Sequence, residues 1–261
     1  MEALLYPRPE AFICFHHFPG ADPAFVYLAG LGLAATGLYS RAIVGSGLAA
    51  NAAVIPDFFG SGYSDRPEDF GYSIEEHADV IAWLLDQLGR KQCTVIGHSM
   101  GGAVAIMLAD KRPDLVQRLV LAESNLDAGG GSTSKSVISV PEQEFVATGH
   151  AALLDATRQS ITAENRALAV GLGMWQIAAP HALHRSAVSL VAGVQPSWRE
   201  RLYALRMPRL YIFGEHSLPD QDLEILPLHG IETAIVPQAG HGMMLENPDG
   251  FASAILAFVA R

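Results

Sequence analysis

The amino-acid sequence predicts an α/β fold, in which helices cover both faces of a mostly parallel β-sheet. Several short apolar runs are continuous rather than alternating, as is typical of buried parallel strands. Segments with apolar residues at helical spacing separate several of these runs. A long stretch without a clear strand, residues 125–206, interrupts the alternation and predicts a helical insertion.

The individual elements follow from the same patterns. Residues 74–88 carry apolar side chains on one helical face, residues 99–112 form a second predicted helix that Pro113 ends, and residues 251–259 form the last helix. The six predicted strands are residues 24–29, 52–56, 93–96, 115–122, 209–213 and 233–236.

The insertion begins with a stretch rich in glycine and serine, residues 129–134, whose composition is typical of a flexible linker. The sequence therefore predicts two units, an α/β core of residues 1–124 and 207–261 and a helical insertion of residues 125–206. Helical patterns in the insertion cover residues 141–157, 163–178, 180–192 and 198–205.

Composition limits the classes of protein that this chain can belong to. Half of the 261 residues are hydrophobic and 17% are charged, which excludes a disordered chain and allows a large core. A net charge of −10 argues against nucleic acid as a partner, because that interaction needs a basic surface. Two cysteines without ligand spacing favour a reducing compartment. We expect a cytoplasmic monomer or homodimer with no membrane-spanning segment.

The strongest chemical signal is the pattern Gly97-x-Ser99-x-Gly101, which follows an apolar strand and precedes a helix. In this context the pattern indicates a nucleophile elbow, a strained turn that exposes the serine hydroxyl at the carboxyl end of the sheet. The glycines allow the strand and the helix to approach closely. Ser99 is therefore the predicted nucleophile.

A serine nucleophile needs a base, and His241 is the candidate among ten histidines. It follows the last predicted strand, precedes the last helix and lies between two glycines. This place in the chain is the one expected of the base that serves a nucleophile elbow.

With these motifs, the chain resembles the α/β-hydrolase family over nearly its whole length. The resemblance is carried by the segments 97–102, 57–64 and 240–241. It implies a mostly parallel sheet of eight strands and a helical cap inserted after the sixth strand, where residues 125–206 lie. The second of those eight strands is not evident in the sequence.

The third triad residue departs from the usual family pattern. Ser217 occupies the position after the seventh strand where the family usually has an aspartate. Glu123, at the end of the sixth strand, is the preferred acid, because a subset of the family resembles this chain in placing a glutamate there. Asp220 is the alternative acid, and Asp222 and Glu215 are further candidates.

The oxyanion hole is predicted to use two backbone N–H groups. Met100 follows the nucleophile at a helix N-terminus, and Leu31 lies in the glycine-rich loop after the third strand. The family usually has His-Gly in that loop, whereas this chain has Ala29-Gly30.

No metal or cofactor site is expected. His16 and His17 are adjacent strand residues whose side chains point to opposite faces, and His181 and His184 lack an acid or cysteine partner. The glycines at residues 30–32 lack the third glycine of a dinucleotide loop.

These residues predict a serine hydrolase that forms an acyl-enzyme with a small, largely apolar substrate, and a carboxylic ester is the first choice. The alternatives on the same scaffold are hydrolysis of a C–C bond, opening of a lactone and removal of an N-terminal proline. A small-ligand receptor with vestigial turnover and a haloperoxidase-like enzyme are rivals of different classes.

Overall fold

The computed structural model describes residues 1–261 and contains a single eight-stranded sheet. The strand order is β1-β2-β4-β3-β5-β6-β7-β8, and β2 runs antiparallel to both β1 and β4, whereas all other pairs are parallel. The fold class is therefore as predicted. The strands are β1 (Glu2–Pro7), β2 (Glu10–Phe18), β3 (Ala21–Leu28), β4 (Asn51–Pro56), β5 (Cys93–His98), β6 (Val116–Ala122), β7 (Arg209–Gly214) and β8 (Glu232–Val236).

Helices flank the sheet and fill the segment between β6 and β7. Short 3₁₀ turns occur at Gly47–Ala50 and Glu215–Ser217, and a π-helical turn, Phe145–Gly149, joins two of the helices. The helices are α1 (Ala35–Ile43), α2 (Ile74–Gln87), α3 (Met100–Lys111), α4 (Ser132–Val137), α5 (Glu142–Glu144), α6 (His150–Ser160), α7 (Ala167–Gln176), α8 (Pro180–Ala192), α9 (Trp198–Ala204), α10 (Asp222–Leu228), α11 (Met243–Glu246) and α12 (Pro248–Val259).

Local signals explain where several helices begin and end. Ser73 and Glu76 form a reciprocal capping box at the start of α2, in which each side chain accepts a hydrogen bond from the other residue's backbone N–H. Pro180 starts α8 and Gly193, with a positive φ of 70°, follows its last residue. The bounds of α8 consequently equal the predicted residues 180–192.

The sheet has a hydrophobic core on each face, because successive strand residues point to opposite sides. In β3, Val26 and Leu28 belong to the core that α2, α3, α8 and α9 cover. Phe25 and Tyr27 belong to the core that α1, α11 and α12 cover. Burial on both faces explains why the parallel strands are continuous apolar runs in the sequence.

The first two strands, β1 and β2, are not among the six that the sequence predicts. Ala11, Ile13 and Phe15 of β2 are buried, whereas the residues between them are exposed or half-buried. Such alternation is typical of a half-buried antiparallel strand, and a search for continuous apolar runs does not detect it.

The segment between β6 and β7 contains helices α4–α9 and no strand. The prediction of a flexible linker at residues 129–134 was wrong for residues 132–134, which form the start of α4. Val137 is fully buried in the core beside α8, so tertiary packing stabilises a helix that local composition disfavours. The division into a core and a cap with bounds at 124 and 207 stays a prediction.

None of the helices combines the length and the apolar character that a membrane crossing requires.

Candidate active site

Ser99 lies in the turn between β5 and α3, at the carboxyl end of the sheet. Its backbone has φ 53° and ψ −120°, a conformation that a residue with a side chain rarely adopts. The Ser99 N–H donates to the Ala122 carbonyl of the neighbouring strand at 3.0 Å, and the Ser99 carbonyl accepts from the Gly102 N–H at 3.0 Å. The surrounding structure therefore holds the strained turn that was predicted.

The glycines of the elbow are sterically required. A Cβ atom on Gly97 would lie 2.5 Å from the Gly101 carbonyl oxygen, and one on Gly101 would lie 2.3 Å from the Leu28 carbonyl oxygen. A Cβ on Gly102 would overlap the Ser124 hydroxyl. These contacts let α3 begin directly against β3 and β5, which points the start of the helix at the serine.

His241 lies in the loop between β8 and α11, and its side chain is 57% exposed. Its Nδ1 atom is 2.8 Å from Oε2 of Glu123. Because a carboxylate accepts, Nδ1 carries the proton and Nε2 keeps a free lone pair. The imidazole thus has the tautomer that a general base for a hydroxyl needs.

Glu123 directly follows β6, and both of its carboxylate oxygens are engaged. Oε2 accepts from His241, and Oε1 accepts from the Gly214 N–H at 2.8 Å. Burial acts to raise the pKa of Glu123, but the hydrogen bonds from His241, Ser217 and Gly214 outweigh it and lower the pKa below its ordinary value. The backbone of Glu123 has a positive φ of 39°, a strained conformation that the hydrogen bonds around it hold.

The other candidate acids lie elsewhere. Asp220 is exposed, and its Oδ1 accepts from the Asp222 N–H at 2.8 Å. Asp222 pairs with Arg199, and Glu215 accepts from the Gln238 N–H. None of the three forms a hydrogen bond with His241. Ser217, at the usual acid position, instead interacts with the Glu123 carboxylate.

The predicted oxyanion donors flank the serine. Met100 is the first residue of α3, where backbone N–H groups have no partner within the helix. The Leu31 N–H donates to no acceptor within the protein. Gly30 is close to the nucleophile, because a Cβ on it would lie 3.3 Å from the Ser99 Cβ.

One cavity joins these groups. It has a volume of about 380 Å³, and its lining includes Ser99, His241 and Leu31. Ser99 and His241 do not hydrogen-bond to each other in this arrangement, and such bonds are often long until substrate binds. Most of the remaining lining residues are apolar or small, and several lie on α7: Ala167, Leu168, Gly171, Met174 and Trp175.

His98, the residue before Ser99, has a contact that the sequence patterns do not indicate. His98 is 3% exposed, and its Nε2 donates to the His241 carbonyl at 2.9 Å. The centroids of the His98 and His241 imidazole rings are 4.6 Å apart. Burial, together with the nearby His241, lowers the pKa of His98 to about 3, so the ring is neutral. No pattern in the sequence indicates this contact, because it joins residues 143 positions apart.

Trp175 is a second residue whose contact the sequence did not indicate. Its indole N–H donates to the Leu31 carbonyl at 2.9 Å, and its own carbonyl accepts from His150 at 3.1 Å. A Cβ on Gly32, which has a positive φ of 68°, would lie 3.0 Å from the Trp175 ring. The loop that carries the Leu31 N–H is thus held against α7.

The structure contains no group of three or more histidine, cysteine, aspartate or glutamate side chains placed to hold a metal ion. The groups that meet at the cavity are the Ser99 hydroxyl, the His241 imidazole with the Glu123 carboxylate behind it, and the Leu31 backbone N–H. Together these groups can take a proton from the hydroxyl and stabilise a developing oxyanion.

A comparison of the sequence with known families decides the classification. The sequence model described as the alpha/beta hydrolase fold matches residues 12–212. The chain belongs to the α/β-hydrolase family. The match begins within β2 and ends within β7, and therefore includes Ser99 and Glu123.

Individual relatives match over shorter stretches. The 2-hydroxymuconate semialdehyde hydrolase of Pseudomonas sp. (strain CF600) is 37% identical over 109 residues, which are 41% of this chain and 38% of that protein. The first curated relatives are each matched over well under half of their own length.

Solved structures of other α/β-hydrolases share the fold of the whole chain. An esterase from Thermogutta terrifontis has a TM-score of 0.82 and 20% identity, covering 100% of this chain and 98% of the other. The enol-lactonase from Burkholderia xenovorans LB400 has a TM-score of 0.78 and 20% identity, covering 96% of this chain and 97% of the other.

Proposed function

We propose that this α/β-hydrolase is a serine hydrolase that cleaves small, largely apolar carboxylic esters through an acyl-enzyme. The observation that carries the proposal is the meeting of Ser99, on its strained turn, with the His241–Glu123 pair at one cavity. The esterase and the enol-lactonase compared above share the fold of this chain, and their likeness to it concerns the fold alone.

The first half of the reaction forms the acyl-enzyme. Ser99 Oγ attacks the ester carbonyl while His241 Nε2 takes the hydroxyl proton, and the Glu123 carboxylate stabilises the imidazolium that results. The Leu31 and Met100 N–H groups hold the oxyanion, and one such donor is typically worth about 2.7–4 kcal/mol. His241 then passes the proton to the departing alcohol.

The second half of the reaction releases the acid. His241 takes a proton from water, the hydroxide attacks the acyl carbonyl, and Ser99 leaves with that proton. No cofactor enters either half. The exposed position of His241 at the cavity edge gives water access to the imidazole.

The proposal is tested with a fluorophosphonate probe and a series of p-nitrophenyl esters from acetate to octanoate. We expect one adduct by intact mass, located at Ser99, and turnover of at least the short esters. Ser99→Ala abolishes both, whereas Ser160→Ala, an exposed serine at the end of α6, leaves both unchanged. Absence of labelling in the wild-type protein would contradict an activated Ser99.

A second candidate is the reaction class for which the Pseudomonas relative is named, hydrolysis of 2-hydroxymuconate semialdehyde. The identity of 37% over 109 residues supports it. Labelling of Ser99 without turnover of any ester would favour this candidate, or a receptor with vestigial activity.

A further inference from the structure

Helix α7 contributes several residues to the cavity that also contains Ser99 and His241, and Gly171 is one of them. A Cβ on Gly171 would meet no atom within 4 Å. By contrast, a Cβ on Gly37 would meet the Met174 sulfur at 3.2 Å. Close packing therefore does not require a glycine at position 171, and the missing side chain adds to the open volume beside Ser99.

Gly173 provides an internal comparison on the same helix. It is exposed, it does not line the cavity, and a Cβ on it would also meet no atom within 4 Å. The two positions thus share helix, residue type and steric freedom. They differ in the space that they face, which is the cavity for Gly171 and solvent for Gly173.

The charges around the cavity point to a neutral substrate. The lining includes no lysine or arginine, and its one carboxylate is Glu246. Glu123, a second carboxylate, stands directly behind His241. A carboxylate on the substrate chain would leave water without gaining a cationic partner, which is costly in an apolar site.

Building on the proposed function, we propose that the site takes esters with a neutral apolar chain and that the chain lies against Gly171. The missing side chain at position 171 sets the longest chain that the cavity accepts. The apolar chain belongs to the acyl or to the alcohol part of the ester, and the test covers both.

The test compares wild type, Gly171→Leu and Gly173→Leu. Two ester series are used: p-nitrophenyl esters of increasing acyl length, and acetates of increasing alcohol length followed by acid release. In one series, Gly171→Leu lowers the ratio of kcat/KM for the longest chain that wild type accepts to kcat/KM for the shortest ester by about 10-fold or more. Gly173→Leu leaves both series unchanged.

The melting temperatures of the two variants check independently that both fold. Leucine is a better helix former than glycine, so both variants keep or raise the melting temperature, by about 2–4 °C if the full propensity is realised. Equal chain-length profiles in the two variants would overturn the role of Gly171. Absence of fluorophosphonate labelling in the wild-type protein would instead contradict the proposed function. A failure of the Gly171 proposal and a failure of the proposed function therefore give different results.

A second pair of substrates tests whether the substrate chain must be neutral. The p-nitrophenyl monoester of glutaric acid carries a terminal carboxylate, and p-nitrophenyl pentanoate is its neutral counterpart of equal chain length. We expect kcat/KM for the charged ester to be lower by about 10-fold or more. Equal or better use of the charged ester would overturn the neutral-chain requirement.

Discussion

At the scale of single residues, hydrogen bonds fix the proposed base and its proposed acid. Glu123 is held through both oxygens, and His241 is held through its side chain by Glu123 and through its carbonyl by His98. His241, a loop residue, thus receives two anchors, one from Glu123 directly after β6 and one from His98 at the end of β5. Fixing the imidazole in this way reduces the conformational freedom that would otherwise be lost on reaching the transition state.

His98 is a positioning residue whose effect is measurable. We predict that His98→Phe lowers kcat by about 10–100-fold, because the phenyl ring fills the space but cannot donate to the His241 carbonyl. His98→Gln, which keeps a donor, recovers most of the activity. The measurement is kcat and KM for a short p-nitrophenyl ester in both variants, with KM expected to change little.

A purely structural role of His98 would give a different pattern. It would lower the activity of the phenylalanine and glutamine variants in parallel with their melting temperatures. Equal kcat values in the two variants at equal melting temperature would contradict the positioning role.

The residues that sequence reasoning could and could not find differ in a physical way. Ser99 lies in a local pattern, with a glycine two residues before it and another two residues after it between an apolar strand and a helix, so the sequence alone reveals it. Glu123 could be proposed because it ends an apolar strand. His98 and Trp175 act through single hydrogen bonds to residues more than 140 positions away, and nothing in their neighbourhood indicates those partners.

At the scale of elements, the contact between α7 and the loop after β3 joins the inserted helices to the predicted oxyanion hole. Trp175 donates to the carbonyl of Leu31, the residue whose N–H is the proposed donor. This bond restrains the peptide group that follows Leu31, while the carbonyl of the preceding peptide, that of Gly30, accepts from the Leu33 N–H at 3.0 Å. The position of α7 and the geometry of the oxyanion hole are consequently coupled.

We predict that Trp175→Phe lowers kcat by about tenfold for p-nitrophenyl acetate, because the Leu31 loop loses its side-chain anchor. Acetate is the appropriate substrate, since its short chain reduces the contribution of the cavity wall to binding. Trp83→Phe is the matched control, because Trp83 is half-buried against Tyr6 and does not line the cavity. An equal kcat for wild type and Trp175→Phe would contradict the coupling.

Strands and helices were predictable from the sequence where the spacing of their apolar residues follows a single pattern. The buried parallel strands and α8 are recovered to within a few residues, because burial on both faces or clear capping residues define them. The hairpin β1–β2 was missed because its residues alternate in burial at the sheet edge. Helix α4 was missed because packing against α8 outweighs its serine-rich composition.

At the scale of the whole molecule, two buried histidines make folding stability depend on pH. Burial lowers the pKa values of His77 and His98 to about 3, and both side chains are almost fully buried. In the unfolded chain these groups take up protons as the pH falls through about 6.5. The folded protein does not take up those protons until the pH approaches about 3, so the unfolded state binds more protons in this window.

We therefore predict that the free energy of unfolding falls as the pH is lowered from about 6.5 to about 4, by roughly 1 kcal/mol per pH unit for each histidine. Urea unfolding followed by circular dichroism at several pH values measures the slope. His77→Gln removes one of these groups and reduces the slope between pH 6.5 and pH 4 by roughly 1 kcal/mol per pH unit. An unchanged slope in this variant would contradict the assignment.

The order of the sheet brings the proposed triad together from distant parts of the chain. β5, β6, β7 and β8 are neighbours in the sheet, and all four run parallel, so their carboxyl ends lie at one edge. Ser99 follows β5, Glu123 follows β6 and His241 follows β8. The acid after β6 reaches the same imidazole that an acid after β7 would reach, with Ser217 in the place of that acid.

The measurement that tests this assembly most directly is kcat for Glu123→Gln beside Asp220→Asn, with a p-nitrophenyl ester at saturating concentration. The glutamine keeps the size of the side chain but removes the charge that orients and stabilises the His241 imidazolium, so kcat falls by about 10⁴-fold. Asp220→Asn, at an exposed position away from His241, leaves kcat close to that of the wild type. Near-normal turnover in Glu123→Gln together with a large loss in Asp220→Asn would contradict the Ser99–His241–Glu123 triad.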